Sequence, residues 1–374
     1  MTITLTKEMQ QMKEMIRNFV EREVEPFAIQ IEEEDAIPEH LVEKAKDLGL
    51  FGISIPEQYG GIGLNAVGKA TVLEQLGRTH NGFVSLISAH TGIGSTGLVK
   101  LASEHLKNKY LPEMAAGTKI GAFALSEPGA GSDATNLATN AEKKGDYWVM
   151  NGTKHFITNG PIADVYTVFA LTDKDKGAKG GITAFLVERD FPGLMGLRGS
   201  YTSQVIFEDC IIPEENVIGE VGMGYISALK ILGEGRVGLA ARAVGSSGKL
   251  IELSAKYAKE RIQFGKPIAD NQAIQWMLAD MATETEAARA LTMMAAQKID
   301  EGKKVIKEAS MAKLFASDVF NRVADKAVQI HGGMGYMAEY PVERFYRDAR
   351  ITKIYEGTNE IQRLIIARNV LEEC

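Results

Sequence analysis

The sequence predicts an α+β protein in three successive parts: an N-terminal all-α domain over 1–119, a middle antiparallel β-domain over 120–219 and a C-terminal helix bundle over 220–374. Two observations predict it. Apolar residues recur at helical spacing in the outer thirds and alternate in short runs in the middle third. At about 150 residues per domain, the 374 residues make two to three domains. In the first part Met9, Met12, Ile16 and Phe19 mark one helical face, and Gly49 and Gly77 stand where helices stop. In the second part Asp164 to Leu171, Ile182 to Val187 and Gln204 to Phe207 read as strands, separated by Gly, Asp and Lys. In the third part helical segments far longer than average open at Pro267 and run from about Val305 to Ile330, and such neighbours make bundles. No repeat or low-complexity tract interrupts the plan, and the junctions near 119 and 220 leave no room for a flexible linker.

Composition narrows the function. Forty-nine acidic residues against 42 basic ones give a net charge of −7 with no basic run, which argues against a nucleic-acid or anionic-membrane partner. No apolar stretch approaches the roughly 18 uncharged residues of a membrane helix. The segment to Phe19 has neither an apolar signal core nor an Arg-rich presequence, so a soluble cytoplasmic protein with no membrane association is expected. Cys210 and Cys374 cannot make a disulfide framework or a thiolate metal site; Cys210 reads as a packing residue. No metal site is expected.

Several motifs fail. The six histidines form no H-x-x-x-H pair, C-x-x-C is absent, and no serine lies in G-x-S-x-G. Gly92 to Gly97 matches G-x-G-x-x-G after the apolar run Phe83 to Ala89, but a dinucleotide fold also needs a second parallel strand ending in an acid about 20 residues on. The helical segment from Leu101 to Tyr110 and Leu111-Pro112-Glu113 supply no such strand. Small residues that let helices approach closely explain the glycines better.

The informative segments are Phe123-Ala-Leu-Ser-Glu-Pro-Gly-Ala-Gly-Ser-Asp133, Phe156-Ile157-Thr158-Asn159-Gly160, Arg261-Ile-Gln-Phe264-Gly265-Lys-Pro267, Gln329-Ile-His-Gly-Gly-Met-Gly335, and Ile354-Tyr355-Glu356-Gly357-Thr358-Asn359-Glu360-Ile361-Gln362-Arg363. In this order they span the chain, which resembles the acyl-CoA dehydrogenases, a family of FAD-containing enzymes with the three-part fold above. The residue types suit a flavin. Its ring is a flat apolar plate with hydrogen-bonding edges, and a Glu-Pro-Gly-Ala-Gly-Ser turn lets backbone amides approach a pyrophosphate closely. The resemblance implies that Thr158 faces flavin N5, Ser126 serves the pyrimidine edge and Phe156 packs beside the ring. By the same resemblance Phe123, Leu125, Gly131, Ser132, Ile157, Thr358 and Glu360 line the cofactor. Arg261, Phe264, Gln272, Gln329, Gly332 and Gly333 correspond to residues that grip its adenosine-diphosphate part, several of them from a neighbouring subunit. A homo-oligomer, a dimer of dimers, is therefore implied.

Within that resemblance Glu356 is the candidate catalytic base. Abstracting a proton beside a thioester carbonyl needs a carboxylate made basic by desolvation. Glu356 lies between apolar Ile354-Tyr355 and Gly357, ahead of a helix capped near Thr358 or Asn359. Glu360 already supplies the acid that a helix N-terminus favours, which frees Glu356 from that role. The Glu356 backbone N–H and a ribityl hydroxyl are implied donors to the thioester oxygen. Some relatives with branched substrates place the base immediately before the position of Arg236; here that position is Gly235, which cannot accept a proton. Arg236, Ser132, Tyr355 and Gly357 are implied substrate neighbours, and Gly233 stands where many short- and medium-chain relatives carry an aspartate that binds the CoA arm.

Ile231 to Gly238, Ser88 to Gly94 and Asn159 to Phe169 resemble the very-long-chain branch. With small Ser85, Ser88 and Ala89 flooring the pocket, they predict a medium-to-long straight acyl chain, since each methylene is worth only about 1–3 kcal/mol of discrimination. That branch carries a membrane-associating C-terminal domain, absent from these 374 residues. Phe191-Pro-Gly-Leu194-Met195-Gly-Leu-Arg-Gly199 lacks the longer polar stretch of relatives, and Phe156 replaces their tryptophan. The implied reaction is formation of a trans-2-enoyl-CoA, with electrons passed to an electron-transferring flavoprotein. The alternatives are a short- or branched-chain dehydrogenase, a flavin oxidase on the same scaffold, and a non-enzymatic flavin or acyl-CoA-binding protein; the net charge of −7 argues against the nucleic-acid-associated version of the last.

Overall fold

The first part folds as helices α1 (Lys7–Phe19), α2 (Ala28–Glu34), α3 (Glu39–Asp47), α4 (Ala66–Leu76), α5 (Asn81–Ala89), α6 (Ser95–Leu101) and α7 (Glu104–Ala115) in a computed structural model that describes residues 5–198 and 202–373. Side-chain caps start several of them. Thr6, Asn65 and Ser103 accept from the backbone N–H groups of Met9, Gly68 and Leu106, satisfying donors that have no partner within the helix. Gly49, at φ 69°, follows α3 as the sequence implies. Gly77 ends α4 for another reason: its φ is −59°, and a Cβ there would lie 2.3 Å from the Arg242 carbonyl oxygen.

The middle part contains β1 (Gly121–Ala124), β2 (Asn140–Lys144), β3 (Tyr147–Thr158), β4 (Val165–Leu171), the short α8 (Ala178–Gly181), β5 (Ile182–Glu188), β6 (Leu194–Arg198), β7 (Thr202–Pro213) and β8 (Val217–Ile218). The sheet runs β6-β7-β3-β2-β4-β5-β8 and is mostly antiparallel. Its β1 pairs with β4 in parallel, Gly121 opposite Val165, a feature that local alternation of side chains cannot reveal. Period 2 sorts β4 into two buried faces. Val165 and Phe169 join one apolar cluster with Leu106, Leu111 and Ile231, while Tyr166, Val168 and Ala170 join another with Trp148, Phe185 and Phe207. Cys210 is buried in the second cluster, as expected of a packing residue, and burial pushes its thiol up to about 12. Cys374 and Gly199 to Tyr201 lie outside the described residues.

The last part holds α9 (Gly224–Glu260), the two-stranded hairpin β9 (Ile262–Gln263) and β10 (Lys266–Pro267), α10 (Gln272–Asp300), α11 (Ile306–His331), α12 (Val342–Ile351) and α13 (Asn359–Glu373). The helix expected to open at Pro267 opens at Gln272. Pro267 is extended, at ψ 140°, and a 3-10 turn over Ile268–Asp270 intervenes.

The chain divides into two compact units. One comprises the described residues of Met1–Ala36, Asn65–Val84 and Arg236–Cys374; the other comprises Ile37–Leu64 and Ser85–Gly235. In the first, α4 and α9 touch backbone to backbone: a Cβ at Gly245 would stand 1.8 Å from the Glu74 carbonyl oxygen, and Ser246 Oγ donates to Gly77 O at 2.6 Å. In the second, the G-x-G-x-x-G segment is a π turn, His90–Gly94, leading into α6. Gly94 and Gly97 there make room for Gly121 O and Ile231 Cδ1, so the glycines serve packing. Among the described residues no helix is long and apolar enough to cross a membrane.

Candidate active site

In the β unit Phe123 lies on β1, Leu125 and Ser126 follow it directly, and Phe156, Ile157 and Thr158 end β3. Phe123, Leu125 and Ile157 are buried, whereas Ser126 and Thr158 are half-buried. The register between β3 and β7 slips between Lys154 and Ile157, a bulge that re-aims a side chain. Phe156 sits in it at φ 58°, its ring 73 % exposed and 4.0 Å from that of His155. A phenylalanine held in the left-handed region to face outward is a strained placement, and such strain gathers at binding sites. Glu127 and Ala130 exchange backbone hydrogen bonds, N to O at 2.9 and 3.1 Å, which closes the Glu-Pro-Gly-Ala turn. Gly131 and Ser132 follow it exposed, and a Cβ at Gly129 or Gly131 would meet nothing within 4 Å.

Two residues that the sequence reading missed hold this end in place. Lys154 Nζ donates to Glu127 Oε1 at 2.6 Å and to Leu125 O at 3.2 Å, and Glu127 also accepts from the backbone N–H groups of Ala138 and Thr139. Both carbonyl and carboxylate neighbours of Ser126 are thereby fixed. The signal was a lysine in the inward phase of β3, after Trp148 and Met150.

The other unit carries Glu356. It stands at φ 54° and Gly357 at φ 88°, two successive left-handed residues between α12 and α13. The φ of 88° at 357 strains any residue with a side chain, and a Cβ there would also press on Gln362 Nε2 at 2.7 Å, so the position favours glycine. The turn hangs from its carbonyls. Arg236 Nε donates to Glu356 O at 3.4 Å, Gln362 Nε2 to Glu356 O at 3.3 Å and to Gly357 O at 2.8 Å, and Lys313 Nζ to Gly357 O at 2.9 Å. The Glu356 backbone N–H makes no hydrogen bond among the described residues. Glu356 Oε2 is sealed from solvent and has no hydrogen-bond partner among the described residues. Burial pushes the carboxyl above its ordinary value, against the opposing pull of Arg242, Arg236 and Lys313.

Tyr355 lies beside Arg242, whose Nη2 reaches its hydroxyl at 3.5 Å, and burial raises the phenol. Arg236, an implied substrate contact, is itself 5 % exposed and engaged with the Glu356 carbonyl. Thr358 caps α13 by accepting from the Ile361 N–H at 3.3 Å, and Glu360 in the first turn is held below its ordinary value, first by its own backbone N–H. Lys313, Gln362 and Asn359 were missed by the sequence reading. The signal for Lys313 was a lysine inside the small-residue stripe Ala309, Ala312 and Ala316 of α11.

Arg261, Phe264, Gln272, Gln329, Gly332 and Gly333 form a third group in this unit, and all six are exposed. Phe264 turns the β9–β10 hairpin at φ 51° with its ring fully exposed, and in the same unit Trp276 is 64 % and Tyr336 85 % exposed. Gly233, in the other unit, has open space where a side chain would stand.

These features fit FAD. Open glycines in the 129–132 turn leave room for a pyrophosphate, Phe156 offers an uncovered ring, and the exposed aromatic hairpin suits a large cofactor whose cover comes from outside the chain. Among the described residues no group of side chains could hold a metal ion.

Profiles described as the acyl-CoA dehydrogenase N-terminal, middle and C-terminal domains match residues 6–118, 122–210 and 222–371. A Bacillus subtilis (strain 168) protein named acyl-CoA dehydrogenase is 46% identical, covering 98% of this chain and 99% of its own length. The human short-chain specific acyl-CoA dehydrogenase of mitochondria is 43% identical over 99% of this chain and 92% of its own. The solved butyryl-CoA dehydrogenase of Megasphaera elsdenii superposes with a TM-score of 0.95 at 39% identity, covering 99% of this chain and 100% of that one. These relatives correct the expected likeness to the very-long-chain branch. That expectation rested on three short segments, two of which, Ser88 to Gly94 and Ile231 to Gly238, pack helices here.

Proposed function

The chain belongs to the acyl-CoA dehydrogenase family, with FAD as its cofactor, and from that premise we propose that it oxidises a short-chain acyl-CoA to the trans-2-enoyl-CoA with Glu356 as base. The expectation of a medium-to-long chain is withdrawn, because several similar proteins are named short-chain specific or butyryl-CoA dehydrogenases. Small residues at 85, 88 and 89 describe one wall and do not set the depth of a pocket.

The observation that carries the reading is the sealed, unpartnered Oε2 of Glu356. A buried carboxyl with a free lone pair and raised proton affinity is made to accept a proton rather than to hold structure. Arg236 and Lys313 offset its charge without pairing with its oxygens, since both donate to backbone carbonyls of the same turn. The unengaged Glu356 N–H donates to the thioester oxygen as negative charge builds there. FAD, when bound, supplies the acceptor for the β-hydrogen and its electron pair. Ser126, Thr158 and Phe156, with Phe123, Leu125, Ile157, Gly131 and Ser132, hold its ring end; Arg261, Phe264, Gln272, Gln329, Gly332 and Gly333 hold its nucleotide end, and Thr358 and Glu360 border it. Tyr355, Gly357, Ser132 and Gly233 border the substrate. A second copy covers the exposed Phe264 face, giving a homo-oligomer, a dimer of dimers, and electrons leave to an electron-transferring flavoprotein.

The test is a panel of acyl-CoAs titrated against flavin absorbance without oxygen. Butyryl-CoA bleaches the flavin at lower concentration than octanoyl- or palmitoyl-CoA, and Glu356→Gln stays yellow while its bleaching slows by about three orders of magnitude. Preference for the longest chain would sink the substrate assignment; full-rate bleaching in Glu356→Gln would sink the base.

A further inference from the structure

Lys313 is fully buried on α11, an unusual place for an ammonium, and it pairs with no carboxylate among the described residues. Its Nζ donates instead to Gly357 O and to Asn359 Oδ1, each at 2.9 Å. Asn359 is locked in turn: its Oδ1 accepts from Ser317 Oγ at 3.1 Å and its Nδ2 donates to Asp318 Oδ1 at 3.1 Å. Gly357, the second residue of the strained pair, and Asn359, two residues on, are therefore tied to α11 through one lysine. The charges around it come from each packed element: Glu356 on the turn, Arg236 on α9, Asp318 on α11 itself and Glu360 on α13, while Arg242 on α9 acts on Glu356.

Resting on the assignment of Glu356 as base, we infer that Lys313 is a positioning residue for the reaction, fixing the left-handed turn that aims the carboxyl and supplying the nearby positive charge that limits how basic it becomes. The geometry leaves little else for it to do. A hydrogen-bond donor alone could be the neutral amide of glutamine, as Gln362 already provides on the same carbonyl. A buried ammonium costs far more than an amide unless its charge is used. Burial draws Lys313 down to about 8, with Glu356 opposing that fall and Arg236 adding to it, so the two groups sense one another.

Infrared titration of the holoenzyme tests this directly. The carboxylic-acid band of Glu356 is identified by its loss in Glu356→Gln and followed against pH in wild type, Lys313→Met and Lys313→Gln. Removing the cation moves the Glu356 midpoint upward by about one pH unit in both variants, and the acid limb of kcat/KM moves with it. Lys313→Gln keeps a donor to Gly357 O, so it retains more kcat than Lys313→Met at a pH where Glu356 is ionised in both. An unmoved midpoint in the folded, yellow Lys313→Gln protein overturns the inference. The underlying base assignment fails separately, by normal bleaching in Glu356→Gln, so the two failures cannot be confused.

Discussion

Glu127, which is buried, and Glu356, half-buried with its Oε2 sealed from solvent, both lie near buried lysines, one in each compact unit, and their environments push them in opposite directions. Glu127 takes Lys154 Nζ and two backbone N–H groups on its oxygens, and these hold it below its ordinary value despite the cost of burial. Glu356 has Arg236 and Lys313 bonding to backbone carbonyls and Arg242 reaching the Tyr355 hydroxyl, all leaving its Oε2 bare, so burial prevails and its proton affinity rises. Saturation of the oxygens separates a carboxyl that builds structure from one left free to accept a proton.

Charge removal at the two sites breaks or upholds that contrast with the largest effect. Glu127→Gln leaves Lys154 buried without its counter-ion and costs about 3–5 kcal/mol of stability, read by denaturant unfolding at pH 8. Glu356→Gln goes the other way. A carboxyl whose folded pKa is raised binds its proton more tightly when folded, so the ionised form weakens the fold above that pKa and the penalty disappears as pH falls through it. A neutral amide at 356 therefore raises Tm at pH 8 and changes it little at acid pH. Destabilisation by both substitutions at pH 8 would erase the distinction.

His90 extends the comparison to a titratable base. It is fully buried, its Nδ1 accepts from Gly121 N at 2.9 Å and its Nε2 donates to Met114 O at 3.0 Å, so both nitrogens are used by the neutral ring. Burial draws it down to about 4 from 6.5. The unfolded chain binds the proton first, so the stability His90 contributes is present above about pH 6.5 and lost as pH falls toward 4, about 2 kcal/mol of it by pH 5. His90→Gln flattens that part of the pH dependence in denaturant unfolding; an unchanged slope would show that acid sensitivity arises elsewhere.

What was legible in the sequence follows the range of the forces involved. The order of helices, strands and helices was readable because periodicity is local, and Asp164 to Leu171 became β4 with little change. The start of α10 was misjudged because Pro267 is a good first helical residue in isolation, yet here it closes a hairpin whose Phe264 and Gly265 take positive φ. Parallel pairing of β1 with β4 joins residues more than forty positions apart, which no local pattern encodes. Glu356 could be picked out from its motif, whereas Lys313 and Lys154, which fix the backbone around the candidate site, are single lysines whose burial depends on partners distant in sequence. The likeness to the very-long-chain branch was overread because three short segments stood in for a whole pocket.

The smallest effect is the most discriminating between the two halves. Ser103 and Thr358 are both N-caps whose hydroxyls accept at 3.3 Å, from Leu106 N and Ile361 N, and each starts a long helix. Replacing either by alanine costs about 1 kcal/mol. If the Glu356 turn is held for chemistry, the equal losses have unequal consequences. Thr358→Ala loosens the residue next to Gly357 and lowers the rate of flavin bleaching, while Ser103→Ala, in a helix that carries no candidate contact of its own, leaves that rate alone once both proteins are fully folded. Matching unfolding curves with matching bleaching rates would mean that Thr358 serves α13 alone, and that the precision of the Glu356 turn rests on Gln362, Arg236 and Lys313 without its cap.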